Sequence, residues 1–191
     1  MNAQNEYSRT AIRLHWLIAA LILGMLTIGF LMGYLPNSFK GKGSVYMMHK
    51  SIGILILVLS LYRLFWRVTH KPPALSSDIT GWAKLISKIT HWFFYFFMIV
   101  MPLVGWALVS TSKWADGATE IFGVIPLPDM PFWNGLAKDP KHEIHEFFEK
   151  SHEMLAYIAI ALIALHVFAA IKHHKDGGDI LKRMMPSLRK K

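Results

Sequence analysis

The chain has 191 residues, 53% of them hydrophobic, 13% aromatic and only 17% charged, with a mean hydropathy of +0.34 and a formal net charge of +9. Those values fit a membrane protein better than a soluble domain. Having no cysteine, the chain excludes disulfides, thiolate metal sites, Cys-ligated iron–sulfur clusters and haem attached through Cys, so any metal must rest on its ten histidines, on methionines or on carboxylates.

Residues 1–10 are polar and expected outside a bilayer. Residues 14–35, LHWLIAALILGMLTIGFLMGYL, carry no formal charge. At about 20 residues per crossing this is a transmembrane helix. Arg9 and Arg13 precede it as in a signal peptide, but the run is too long for one and is read as retained. Trp16 and Tyr34 are placed as interfacial anchors. A second span covers 45–66, with Lys50 and Arg63 near its ends, both positioned to snorkel. Residues 67–81 connect, and Pro72–Pro73 stops the helix. The third span is 85–109, with Pro102 as a tolerable kink. Residues 110–144 form a long loop rich in Gly, Pro and Trp, too polar to cross and expected to fold back as an outer cap. The fourth span is 152–171, followed by a basic tail. The expected architecture is an all-α membrane protein, a single four-transmembrane-helix bundle over 1–191.

Four spans put both termini on one side. With that side inside, the inner segments hold 14 Lys and Arg and the outer segments 7. The positive-inside rule then makes both termini cytoplasmic. Acidic residues split 4 inside and 8 outside. The excess positive charge flanks apolar spans and forms no patch of its own. Membrane lipids are therefore the expected partner, not nucleic acid.

His152 and His166 bracket the last apolar run. Fourteen residues of helix rise about 21 Å and return to within about 40° of the starting direction. The two imidazoles thus share one helix face near its opposite ends, and ionisable groups inside a span are functional candidates by default. The topology places His15 near the inner surface and His49 near the outer one. This gives two pairs, His15 with His166 inside and His49 with His152 outside. Two imidazoles facing one another across a bundle suit the axial positions of a haem iron. Gly24, Gly29, Gly33 and Gly53 would let a planar ring approach the backbone. A zinc or copper site fits less well, since zinc wants about four ligands and each depth offers two well-placed histidines.

Other residues gather around these levels. His91 lies toward the inner side and reads evenly as a functional contact, to a haem propionate or a quinone, or as a plain interfacial residue. His173 and His174 are within reach of an inner quinone pocket, with an interfacial role as the competing reading. Arg13, Lys50, Arg63 and Arg67 lie near the two levels, where anionic propionates need cations. Anchoring by positive charge suffices for Arg63 and Arg67, whereas Lys50, basic and outer, is the better propionate candidate. His142, His145, Glu146, Glu149 and His152 read as a solvated helix start rather than a metal site, while His70 reads as loop.

Arg13–Trp16 (RLHW), MHKSIGILIL at Met48–Leu57, YRLFWR at Tyr62–Arg67, His91 with Tyr95, and LHVFAAIKHH at Leu165–His174 together resemble the bacterial di-haem cytochrome b561 family. The tail motif at Asp179–Pro186 fits as well. The resemblance covers nearly the whole chain. It implies a four-helix bundle in the bacterial inner membrane with two non-covalent b-type haems, bis-His ligated at His15, His49, His152 and His166. It also implies electron exchange with ubiquinone. One branch of that family oxidises superoxide at the outer side, guided by positive charge. Here the outer segments sum to about −1, with Lys40, Lys42, Lys50 and Lys113 as a local positive patch, so superoxide stays open as donor. The leading expectation is a membrane oxidoreductase. The alternatives are a haem-b anchor subunit relaying electrons to a redox protein partner, and a non-redox membrane protein.

Overall fold

A computed structural model describes residues 7–70, 73, 81–112, 119–133, 135–177 and 180–185. Lys113, the Pro72 step, residues 74–80 and the end of the tail lie outside the described residues. Helix α1 runs Arg9–Tyr34, α2 Lys42–Thr69, α3 Gly81–Ser110 and α4 Lys138–Lys175, with a short α5 at Ile180–Met184. Strands β1 (Thr119–Ile121) and β2 (Ile125–Leu127) pair antiparallel, Ile121 opposite Ile125. Among the described residues four helices are long and apolar enough to cross a membrane, so the chain is an all-α, multi-pass bundle carrying one small hairpin.

The helix boundaries follow from local chemistry. Ser8 caps α1, its Oγ accepting from Ala11 N–H at 3.2 Å and from Trp66 Nε1 at 3.0 Å, which also ties the start of α1 to the end of α2. Helix α4 begins at Lys138, so the last seven residues of the expected 110–144 loop are helical. Asp139 and Pro140 sit in its first turn, where neither a carboxylate nor a missing N–H is penalised. Its last turn carries Lys172, His173, His174 and Lys175, matching the negative end of the helix dipole. At about 1.5 Å per residue, its 38 residues outrun a hydrocarbon core about 30 Å thick. The excess is the polar stretch before His152.

Helix α1 packs on α2, α2 on α3 and α3 on α4. Each inward stripe has the heptad-like spacing of a bundle seam. On α1 this brings in Leu14 and Ile18, on α2 Ile56 and Ser60, and on α3 Tyr95 and Met98, all buried. Ile18, Tyr95 and Met98 pack together as the centre of the core. Contact between α1 and α4 is confined to spots such as Phe30 against Tyr157, with ring centroids 5.8 Å apart.

One end of the bundle carries the first residues of α1 and the last of α4; it is the terminal end below. The other is the hairpin end. There the chain after α3 folds back over the helices. The fully buried Ser51 donates to Met47 O at 2.8 Å and accepts from Phe122 N–H at 2.8 Å, clamping the hairpin tip to α2. Phe122 and Gly123 take positive φ (54° and 72°) to make that tip. Ser110 Oγ accepts from Met130 N–H at 2.9 Å, and Trp106 Nε1 donates to Pro128 O at 3.0 Å. At the terminal end, Trp16 Nε1 donates to Met184 O at 2.7 Å, docking α5 onto α1.

Candidate cofactor site

The four span histidines meet in two pairs, one at each end of the bundle. His15 of α1 faces His166 of α4 with ring centroids 6.3 Å apart and planes at 64°. His49 of α2 faces His152 of α4 at 6.2 Å and 70°. A metal–imidazole bond is about 2.0–2.1 Å, and an imidazole's centre lies about 1.1 Å behind its nitrogen. Two opposed imidazoles sharing one metal therefore stand about 6.3 Å apart, centre to centre. Both pairs have that spacing.

The helices supply each level with one residue apiece, and in every helix the two levels are 14 residues apart. At the terminal end these are His15, Arg63, His91 and His166. Arg63 Nη2 donates to His15 Nδ1 at 3.1 Å, and His91 stands edge-on to His166 with centroids 6.2 Å apart. At the hairpin end they are Gly29, His49, Gly105 and His152. A Cβ on Gly29 would lie 3.4 Å from His49 Cε1, and one on Gly105 would lie 3.1 Å from His152 Cε1 and 3.5 Å from its Nδ1. Fourteen residues bring each helix back to nearly the same face about 21 Å further on. One periodicity thus sets all eight positions.

The hairpin-end pair is shielded. The Nδ1 atoms of His49 and His152 are buried; that of His49 has no hydrogen-bond partner among the described residues, and the His152 ring lies within reach of the Met101 backbone. The two rings are held between the helices by packing, and glycine on α1 and α3 leaves room for them. Of the four glycines expected to admit a flat group, Gly29 lies against the His49 imidazole, Gly24 and Gly33 border open space among the described residues, and Gly53 has Met25 Cε near, at 3.9 Å from a Cβ built there. Gly105 was not anticipated; its offset of 14 from His91 is the signal that marks it.

At the terminal end, His91 Nδ1 donates to Ser87 O at 2.6 Å, which leaves Nε2 as its free nitrogen. Phe94 stands edge-on to His166, centroids 5.2 Å apart. Arg63 does not snorkel. It turns inward, with its guanidinium carbon 5.8 Å from the centre of the buried Tyr95 ring, and Arg67 lies 5.7 Å from the same ring. Arg13 is exposed two residues before His15, and Lys50 is half-buried next to His49. His173 is half-buried two turns past His166, and the neighbouring His174 Nδ1 is buried.

The group at the start of α4 is dispersed. His142 pairs with Glu146 at 3.4 Å, Glu146 also holds Lys150 at 3.2 Å, and His145 Nδ1 reaches Leu108 O at 3.2 Å. His152 faces inward to His49. Among the described residues no three His, Asp or Glu side chains are arranged to hold a bare ion. Two imidazoles at that spacing would suit a group that brings its own equatorial donors, and haem iron is such a group.

The prokaryotic cytochrome b561 family matches residues 6–187. A cytochrome b561 homolog 2 of Escherichia coli K12 is 30% identical over 186 residues, covering 96% of this chain and 93% of that protein. A probable superoxide oxidase of Yersinia pestis is 29% identical over 189 residues, 96% of this chain and 98% of its own length. Another E. coli K12 relative, cytochrome b561 homolog 1, is 29% identical over 186 residues, 95% and 98% of the two chains. Four membrane-length helices, two opposed imidazole pairs and a match across nearly the whole sequence agree: the chain belongs to the prokaryotic cytochrome b561 family, and is a membrane-spanning, haem-binding electron-transfer protein.

Proposed function

We propose that this chain holds two haem b groups, one between His15 and His166 and one between His49 and His152, and exchanges electrons with ubiquinone in a bacterial inner membrane. The carrying observation is that both histidine pairs stand 6.2–6.3 Å apart across the bundle, the spacing of two imidazoles about 2.0–2.1 Å from one metal. Haem supplies a one-electron carrier at each level. The chain supplies the donors, the apolar walls and the fixed separation of the levels. Without cysteine, retention is non-covalent and depends on the imidazoles and on packing.

The terminal end faces the cytoplasm on the charge count, 14 Lys and Arg against 7. His91 and His173 border that level and are the proposed neighbours of quinone or of haem side arms. Lys50 and Arg13 are further candidate cations for propionates. The reaction is an oxidoreduction between ubiquinone and a donor at the hairpin end. Superoxide is one donor, supported by the likeness to the probable superoxide oxidase of Yersinia pestis. The eight carboxylates on that side oppose electrostatic guidance of an anion.

The test is a dithionite-reduced minus air-oxidised spectrum of purified protein with haem quantified per chain, repeated on His152→Ala and His166→Ala. About two haems in the parent, and mainly one lost in each variant, is the expected result. No haem, or the same haem lost in both variants, overturns the assignment.

A further inference from the structure

The terminal-end level holds two cations whose charge the described structure does not answer. Arg63 and Arg67 lie one helical turn apart on the inward stripe of α2, both half-buried, both over the Tyr95 ring. Among the described residues neither makes an ion pair with a carboxylate. A ring face attracts a cation only weakly. It does not make up for the water that a half-buried guanidinium gives up. Snorkelling would remove the problem, yet Arg63 reaches the other way, to His15 Nδ1 at 3.1 Å.

That contact is also incompatible with a ligand role for His15 through Nε2. An imidazole that gives its Nε2 lone pair to a metal keeps its proton on Nδ1. It then has nothing for Arg63 to donate to, which leaves the guanidinium with the neutral Tyr95 hydroxyl as its acceptor and no anion to answer its charge at that depth. We propose that Arg63, backed by Arg67 and aligned by Tyr95, is the carboxylate-binding site of this level, and that its ligand is a propionate of the haem held there. The inference rests on the two-haem reading above. It places the main anion partner on α2, inside the bundle, with the exposed Arg13 left to a more peripheral contact. The planar fork of a guanidinium suits a carboxylate in two parallel bonds, which a lysine cannot reproduce.

The experiment uses full-length protein carrying His49→Ala, so that only the terminal-end level is loaded. The apoprotein is titrated in neutral detergent with haem b and with haem dimethyl ester, whose propionates are blocked. A charged hydrogen bond is worth about 1.5–3 kcal/mol, so haem b should bind about 10- to 150-fold tighter than the ester. Arg63→Gln should bring that ratio close to one, and Arg63→Lys should restore part of it. Using the ratio cancels general losses of stability, and Arg63→Lys keeps the test open if Arg63→Gln does not fold. A ratio unchanged in Arg63→Gln while the bis-imidazole spectrum persists overturns the inference and leaves the two-haem reading standing. A ratio lost on adding phosphatidylglycerol would assign the site to a lipid phosphate and overturn it too. Failure of the His49→Ala parent to bind either haem at His15 and His166 overturns both readings.

Discussion

On the two-haem assignment proposed above, replacing Gly105 by alanine should cost the hairpin-end haem and spare the other. A methyl there lies 3.1 Å from His152 Cε1, so the ring must give by a few tenths of an ångström. Metal–ligand distances hold to about 0.2 Å, which makes the displacement comparable to the tolerance of the bond. Overpacking of this kind costs about 1–3 kcal/mol, equivalent to about a 5- to 150-fold loss of affinity at that level. The same contact strains the haem-free protein, offset in part by the about 0.5–1 kcal/mol that alanine adds to a helix, so its melting temperature should fall modestly while haem binding at that level weakens. Gly29→Ala, with its contact at an ordinary 3.4 Å, should lose much less. Gly24→Ala, with nothing within 4 Å, should lose no haem. The assay is haem per chain together with the affinity of the weaker level by titration, read beside the melting temperature. Wild-type binding in Gly105→Ala, or an equal loss in Gly24→Ala, would refute the reasoning.

Two other contacts predict local effects. Ser51→Ala strips the acceptor from Phe122 N–H inside a closed contact, and an unsatisfied donor costs about 1–3 kcal/mol. Amide exchange over 119–127 should accelerate while the helices keep their protection; equal protection throughout would count against the clamp. Trp16→Phe removes the bond to Met184 O, worth about 0.5–1.5 kcal/mol. Exchange at 180–185 should rise, and no change would mean that α5 docks by other contacts.

The spans were legible because crossing a bilayer demands length and apolarity, both linear properties of a sequence. The pairing of His15 with His166 and of His49 with His152 was legible for a related reason, since depth follows from position within a span. What escaped was direction. Arg63 sits near a helix end, where a cation is normally read as reaching for the interface, and only the partner across the bundle shows that it turns inward. Gly105 carries no chemistry, so its importance lies in the ring it admits from another helix. The hairpin at 119–127 has strands of three residues with Glu120 and Pro126 in them, too short and too irregular for an alternating pattern. The start of α4 did leave a mark, Asp139 followed by Pro140, which a closer reading of helix-start chemistry would have caught.

The common offset of 14 explains why the two levels differ as they do. A rise of about 21 Å inside a core about 30 Å thick puts each level within about 5 Å of an interface. A cation at such a depth is tolerable only if it has an anion or water within reach. At the terminal end the α1 and α3 positions are His15 and His91, α2 brings Arg63, and the Tyr95 ring faces the guanidinium. That end is built from polar groups that can address charge. At the hairpin end the same α1 and α3 positions are Gly29 and Gly105, and the two imidazoles are wedged between helices with buried Nδ1 atoms. That end is built from close packing. Substitutions that alter charge should therefore act at the terminal-end level and those that alter volume at the hairpin-end level. A charge change at Arg63 that left the terminal level untouched while disturbing the hairpin end would contradict this division.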